Sequence, residues 1–130
     1  MQRTLLKSKI HRATITEANL YYEGSLTIDQ EIMEAADLIP YEKVSVLNVN
    51  NGERFETYVI PGEAGTKIFC LNGAAARKGT VGDEVIIISY VNLDANELEN
   101  HQPTIILLDK DNNIVEKTHH TLPRKEFIRN

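Results

Sequence analysis

Apolar and β-branched residues occur in short runs along most of the chain, with turn residues between them. The run Val85-Ile86-Ile87-Ile88 is too short for a helix and lacks alternation, so it predicts a strand covered on both faces. Pairs such as Asn51-Gly52 and Pro61-Gly62 mark turns between the runs. The predicted strands cover residues 5–16, 44–49, 54–60, 67–71, 84–91 and 104–108. This pattern is typical of an all-β fold.

One segment has the spacing of a helix. Apolar side chains recur every three to four positions in residues 28–36, which predicts a helix there. Thr27 and Gln30 match a capping box at its start, and Pro40 stops it. We therefore expect one short helix among the strands.

Three other segments give weaker signals. Helical turns are predicted from Thr16 and over residues 72–76, and the polar, acidic residues 92–102 predict an exposed helix or loop. The tail, residues 116–130, is polar and mostly basic without apolar periodicity, so it is predicted to be disordered or packed on another subunit. Residues 1–115 are then a single domain.

Composition and charge restrict the class of protein. The chain has 130 residues, of which 42% are hydrophobic and 25% charged, as expected for one globular domain with a packed core. The net charge of -5 disfavours a nucleic-acid partner. No apolar run is long enough to span a bilayer, and the N-terminus lacks the apolar region of an export signal. A cytoplasmic location is therefore expected, without membrane association.

Cys70 and the pair His119-His120 are candidates for reactive or metal-binding groups. Cys70 lies in an apolar run, which favours a small core residue over a nucleophile, and a single cysteine forms no internal disulfide. Adjacent histidines without a carboxylate or cysteine at ligand spacing do not predict a metal site. No metal is expected.

A different chemistry is available at Tyr22-Glu23-Gly24-Ser25. Gly24 permits backbone conformations that other residues resist, and Ser25 carries a hydroxyl next to the Gly24 carbonyl. Taken alone, these four residues favour an ordinary turn. Their interpretation depends on the rest of the chain.

Five motifs in order over residues 1–115 give that context. They are Lys9-Ile10-His11-Arg12-Ala13-Thr14, Tyr22-Glu23-Gly24-Ser25, Asn51-Gly52-Glu53-Arg54-Phe55-Glu56-Thr57-Tyr58, Asn72-Gly73-Ala74-Ala75-Ala76 and Val81-Gly82-Asp83. With them the chain resembles the pyruvoyl-dependent aspartate 1-decarboxylases. It departs from the family at Ala64, where arginine is frequent, and after Val115, where no family motif occurs. The departures concern subunit contacts and the tail.

The resemblance implies a six-stranded double-psi β-barrel with short helices. It also implies a homotetramer with active sites between subunits, where Lys9 comes from a different chain than Tyr58. The chain would cut itself between Gly24 and Ser25, spontaneously or with an accessory maturation protein. The products would be residues 1–24 and residues 25–130, the latter starting with a pyruvoyl group made from Ser25. No external cofactor is then needed.

The resemblance also implies the reaction. The ketone would form a Schiff base with L-aspartate, accept electrons as carbon dioxide leaves, and release β-alanine, a precursor of pantothenate and coenzyme A. Family analogy gives Thr57 a role in self-processing and substrate binding. It makes the Tyr58 hydroxyl the general acid that protonates the carbon.

Substrate binding requires groups that recognise two carboxylates. Arg54 provides a bidentate guanidinium and Lys9 a point charge. The loop of Asn72, Gly73, Ala74 and Ala75 is implied to contact the substrate carboxylate with exposed N–H groups. His11 and Tyr22 are further pocket candidates by resemblance, although a core or interface role suits either nearly as well.

One expectation conflicts with strand geometry. If residues 54–58 form a strand, Arg54 and Tyr58 share one face while Thr57 lies on the other. Thr57 and Tyr58 then meet only at a bulge, a strand edge or a subunit boundary.

Two alternatives stay open at this point. A small barrel of this size also suits a non-enzymatic module that binds a peptide or a protein partner. A self-processing decarboxylase with another small or acidic amino acid as substrate is the second alternative.

Overall fold

The computed structural model describes residues 1–123 and 126, and this part of the chain is mainly β. The strands are β1 (Gln2–Thr14), β2 (Glu17–Asn19), β3 (Ser25–Asp29), β4 (Lys43–Asn48), β5 (Arg54–Gly62), β6 (Phe69–Asn72), β7 (Glu84–Asp94), β8 (Thr104–Leu108) and β9 (Ile114–Thr118). One α-helix, α1 (Gln30–Ala35), and two 3-10 segments, Gly73–Arg77 and Leu98–Asn100, join them. The all-β class is confirmed.

The strands form one sheet in the order β2-β6-β3-β5-β4-β7-β1-β8-β9. Strand β1 is antiparallel to β7 and parallel to β8, and β3 is parallel to β5 and antiparallel to β6. The described residues thus form nine strands with a few short helical segments. This agrees with the mainly β barrel with short helices that the resemblance implies, although the resemblance implies six strands. The short strands β2 and β9 lie at the two ends of this order.

A single cluster of buried apolar side chains forms the core of the fold. Its largest fully buried side chains include Phe69, Ile10, Leu26 and Ile87, from four different strands. Removal of these side chains from water is the main stabilising contribution to such a fold. Cys70 is only 1% exposed, so its prediction as a buried residue is confirmed.

The helix begins later than predicted. Residues 25–29 form β3, which pairs with β5 on one side and β6 on the other, so Ile28 lies in a strand. The N-cap of α1 is Asp29, whose carboxylate accepts a hydrogen bond from the Glu31 amide at 2.8 Å. The capping box of Thr27 and Gln30 was therefore wrong, because pairing on both edges fixes Thr27 in an extended backbone.

The weaker helical signals had mixed outcomes. A helical turn after Thr16 was wrong, because Glu17–Asn19 forms β2 and pairs in parallel with β6. The turn over residues 72–76 is confirmed as the 3-10 segment Gly73–Arg77. In residues 92–102, the first three residues extend β7 and a 3-10 turn follows at Leu98–Asn100. Within the described chain, no helix has the length and apolar character needed to cross a membrane.

The first residues of the tail form a strand, although the composition of the tail predicts none. Glu116 and Lys117 belong to β9 and pair with Leu107 and Ile106 of β8. The prediction of a disordered or externally packed tail is therefore wrong for residues 116–118, because a free edge of β8 provides backbone partners. Residues 124, 125 and 127–130 lie outside the described residues.

Asn112 fastens the turn before β9 to two distant segments. Its buried amide nitrogen donates to the Thr14 and Lys67 carbonyls at 2.9 and 3.0 Å, and its amide oxygen accepts from the Thr14 N–H at 2.8 Å. With φ at 61°, its backbone is left-handed, a conformation that asparagine tolerates better than most residues.

Candidate active site

Ser25 is the first residue of β3, an inner strand that lies between β5 and β6 in the sheet order. It pairs with Asn72, the last residue of β6, and is only 2% exposed. Gly24 precedes it outside the strand. The peptide bond between Gly24 and Ser25 therefore lies where the chain enters the sheet, so the backbone that follows the bond is fixed by pairing.

An open cleft of about 770 Å³ borders Ser25. Its lining residues are Glu17, Tyr21, Tyr22, Glu23, Ser25, Thr27, Tyr41, Tyr58, Ile60, Ile68, Cys70 and Asn72. This wall contains two carboxylates and four tyrosines, and none of these described lining residues is a lysine or arginine. The cleft has room for a small amino acid, but within one chain it lacks the positive charge that a dicarboxylate requires.

Asn72 connects three polar side chains at the bottom of this cleft. Its amide nitrogen donates to the Ser25 Oγ at 2.8 Å and to the Thr27 Oγ1 at 2.8 Å. Its amide oxygen accepts from the Cys70 Sγ at 3.0 Å. Both the oxygen and the nitrogen of the amide are thus engaged, and the hydrogen bond from Asn72 restricts the position of the Ser25 hydroxyl.

Gly73 comes into close contact with the Gly24 backbone. A Cβ atom on Gly73 would lie 2.8 Å from the Cα and from the nitrogen of Gly24, and 2.8 Å from the Tyr22 carbonyl oxygen. Its φ of +62° also belongs to the left-handed region. Only glycine fits here, so the loop after β6 supports the backbone at Gly24. The other predicted site residues of this loop differ in exposure. Ala74 is exposed, and Ala75 packs against the core.

Strand β5 separates three of the predicted site residues. Tyr58 lines the cleft and is 38% exposed, with its ring 6.1 Å from that of Tyr41. Thr57 is half-buried and pairs with Val44, while Arg54 is exposed at the start of the strand. The pairing of β5 with β4 runs without a register shift. Alternation therefore puts Thr57 and Tyr58 on opposite faces, and one chain does not bring them together.

Lys9 and His11 lie in another cavity. They line a space of about 80 Å³ together with Ile105, Leu107, Glu116, Thr118, His120, Thr121 and Leu122. Burial lowers the pKa of the Lys9 ammonium below its ordinary value. The chain alone thus does not bring Lys9 and His11 to Ser25, and the expected active site between subunits, with Lys9 from a different chain than Tyr58, does not require it to.

Among the residues that the structure describes, no group of three histidine, cysteine, aspartate or glutamate side chains is arranged to hold a metal ion. The Nδ1 of His119 lies 3.0 Å from the Pro103 carbonyl oxygen.

Sequence reasoning missed several residues of the cleft, notably Thr27, Cys70, Glu17 and Tyr41. Strand alternation contained part of the signal, because residues two positions apart share a face. Cys70 and Asn72 are two positions apart in β6, and Ser25 and Thr27 are two positions apart in β3. Tyr41 had no such signal, because it lies outside the strands.

Comparison with known proteins identifies the family. Residues 1–115 match the family described as aspartate decarboxylase. The aspartate 1-decarboxylase of Syntrophobacter fumaroxidans is 62% identical over 86% of this chain and 90% of its own length. That of Syntrophus aciditrophicus is 60% identical over 88% and 98%, and that of Wolinella succinogenes 56% over 92% and 98%. The chain therefore belongs to the aspartate decarboxylase family, whose enzymes convert aspartate to β-alanine.

Proposed function

We propose that this chain cuts itself between Gly24 and Ser25 and uses a pyruvoyl group made from Ser25 to decarboxylate L-aspartate in the cytoplasm. One observation carries the proposal: Ser25, which follows Gly24 in the chain, is buried at the border of an open cleft, and its hydroxyl accepts a hydrogen bond from Asn72 at 2.8 Å. Residues 1–115 form the catalytic domain, and the cut divides the whole chain into residues 1–24 and 25–130.

Self-processing is a rearrangement followed by an elimination and a hydrolysis. The Ser25 Oγ attacks the Gly24 carbonyl carbon, the C–N bond breaks, and an ester and a free amine result. Loss of the Ser25 α-proton then breaks the bond from Cβ to the ester oxygen, which leaves the Gly24 carboxylate and a dehydroalanine. Water adds to the imine tautomer of this residue and ammonia leaves, so that a ketone remains.

The residues around Ser25 fit the resulting group. A buried position that borders a cleft allows a ketone to meet a substrate amine, and the Asn72 amide nitrogen provides a donor at the same place. The pyruvoyl group supplies an electrophile that binds the amine of aspartate and accepts the electrons left by carbon dioxide.

Tyr58 acts as general acid in this proposal. Its ring lines the same cleft as Ser25 and is partly exposed, so its hydroxyl can approach a bound substrate and protonate the carbon that loses carbon dioxide. Thr57 contributes to self-processing from the other face of β5, which requires a neighbouring chain or a local rearrangement.

Carboxylate recognition requires a second chain. The cleft wall of one chain contains Glu17 and Glu23, whereas Lys9 lines a different cavity and Arg54 is exposed at the far end of β5. A homotetramer, in which a neighbour brings cations to the cleft, supplies the missing charge. His11 and the loop of Gly73, Ala74 and Ala75 complete the substrate site.

An intact-mass spectrum of the purified protein tests the proposal. We expect two chains, residues 1–24 and residues 25–130. The second should begin with a ketone in place of an amine. Ser25→Ala is the matched control and should stay folded, uncut and inactive. A wild-type preparation that releases carbon dioxide from aspartate with Ser25 intact would refute self-processing. Release from L-glutamate at a similar rate would refute the substrate assignment, because its second carboxylate lies one methylene further away.

A further inference from the structure

We infer that Cys70 is a positioning residue for self-processing: its thiol sets the orientation of the Asn72 amide, so that a donor rather than an acceptor faces the Ser25 Oγ. This inference rests on the proposed function. Its basis is the chain of contacts from the Cys70 Sγ to the Asn72 Oδ1 at 3.0 Å and from the Asn72 Nδ2 to the Ser25 Oγ at 2.8 Å.

An asparagine side chain has two orientations of similar shape that exchange its oxygen and its nitrogen. Thr27, the other neighbour of the Asn72 nitrogen, does not select between them, because its hydroxyl donates or accepts equally well. The Cys70 thiol does select, since a thiol donates to an oxygen but accepts only weakly from an N–H.

The thiol keeps its proton under ordinary conditions. Burial, together with the negative charge of Glu17 and a hydrogen bond to it, raises the pKa of Cys70 to about 11. Cys70 and Glu17 are direct partners in the pairing of β6 with β2. The thiol is therefore neutral and has one proton to donate. The contact to the Asn72 Oδ1 at 3.0 Å uses this proton, and the Glu17 carboxylate is the competing acceptor.

The orientation of Asn72 affects the nucleophile directly. As Ser25 loses its proton, negative charge builds on Oγ, and an N–H that donates to Oγ stabilises this charge. In the opposite orientation the Asn72 oxygen would face Oγ, accept the hydroxyl proton and hold it there. The first arrangement favours attack on Gly24, and the second opposes it.

Three substitutions of Cys70 test the inference. Cys70→Ser keeps a donor at this position, Cys70→Val fills the space without a donor, and Cys70→Ala removes both donor and volume. The uncut fraction is followed over time by intact mass, from fresh protein on warming. We expect Cys70→Ser to cut within about threefold of the wild-type rate, and Cys70→Val and Cys70→Ala to cut about tenfold more slowly, as the loss of one hydrogen bond implies.

Folding is checked separately with each substitution in the uncut Ser25→Ala chain by thermal unfolding. If Cys70→Ala does not fold, the comparison between the serine and valine variants still decides the question. Equal rates for Cys70→Ser and Cys70→Val would overturn the inference while the proposed function stands. A wild-type chain that never cuts would overturn both.

Discussion

A Cβ atom on Gly73 would lie 2.8 Å from the Cα of Gly24, the residue directly before Ser25. Such a distance is shorter than side-chain carbons adopt, so any larger residue at position 73 must displace the backbone at the cut. The contact joins the loop after β6 to the segment before β3, and it makes the position of Gly24 depend on Gly73.

Gly73→Ala should slow self-cleavage by at least about tenfold, because a shift of Gly24 misaligns its carbonyl with the Ser25 hydroxyl. Gly52→Ala is the matched control, since Gly52 has a φ of +77° but nothing within 4 Å of an added Cβ. Both variants carry the cost of a left-handed alanine, and only the first displaces Gly24. Time courses of the uncut fraction compare them, and equal slowing would show that backbone strain alone is responsible.

Tyr58→Phe should leave cleavage unchanged and lower kcat for aspartate by about 10²-fold or more, as loss of a general acid implies. Tyr41→Phe is the control on the neighbouring ring, and it should keep kcat within about twofold because the ring packing persists. Steady-state assays on fully cut protein measure both. Near-normal turnover by Tyr58→Phe would remove the tyrosine from its assigned role.

Mixed assemblies should show that Lys9 and Tyr58 act from different chains, since they line separate cavities in one chain. Lys9→Ala and Tyr58→Phe should each be nearly inactive alone. Co-expressed with different tags and purified as mixed assemblies, they should regain about a quarter of the wild-type activity, the share of sites with both native groups under random assembly. Activity no higher than that of the separate variants would place both residues in one chain.

Asn112→Ala should lower the free energy of unfolding by about 3 kcal/mol, because it removes three buried hydrogen bonds and puts alanine in a left-handed backbone. Asp111→Ala, an exposed neighbour, should change it by less than about 0.5 kcal/mol. Urea titration in the uncut Ser25→Ala background compares them. A small effect of Asn112→Ala would mean that water replaces the amide well.

The sequence predicted several strands close to their observed bounds. Its predictions were wrong where pairing between strands overrides the local preference of the chain. Residues 44–49 and 54–60 were expected as strands and form β4 (Lys43–Asn48) and β5 (Arg54–Gly62), because their β-branched and alternating side chains favour a pleated backbone. Residues 28–29 were assigned to a helix, yet β5 and β6 hold them as a strand.

The sequence by itself determined the all-β class, the buried character of Cys70 and, through its motifs, the family. Each of these depends on residue types and on spacing along the chain, which a sequence contains completely. It also indicated that Thr57 and Tyr58 lie on opposite faces of one strand, and the regular pairing of β5 agrees.

Only the tertiary structure decided which side chains meet. Asn72 and Ser25 are 47 positions apart and become partners because β3 lies between β5 and β6. The same arrangement puts Gly73 against Gly24 and leaves Lys9 in a different cavity. Periodicity tells which face of a strand a residue occupies, but the neighbouring strand is set by how the whole sheet encloses its core.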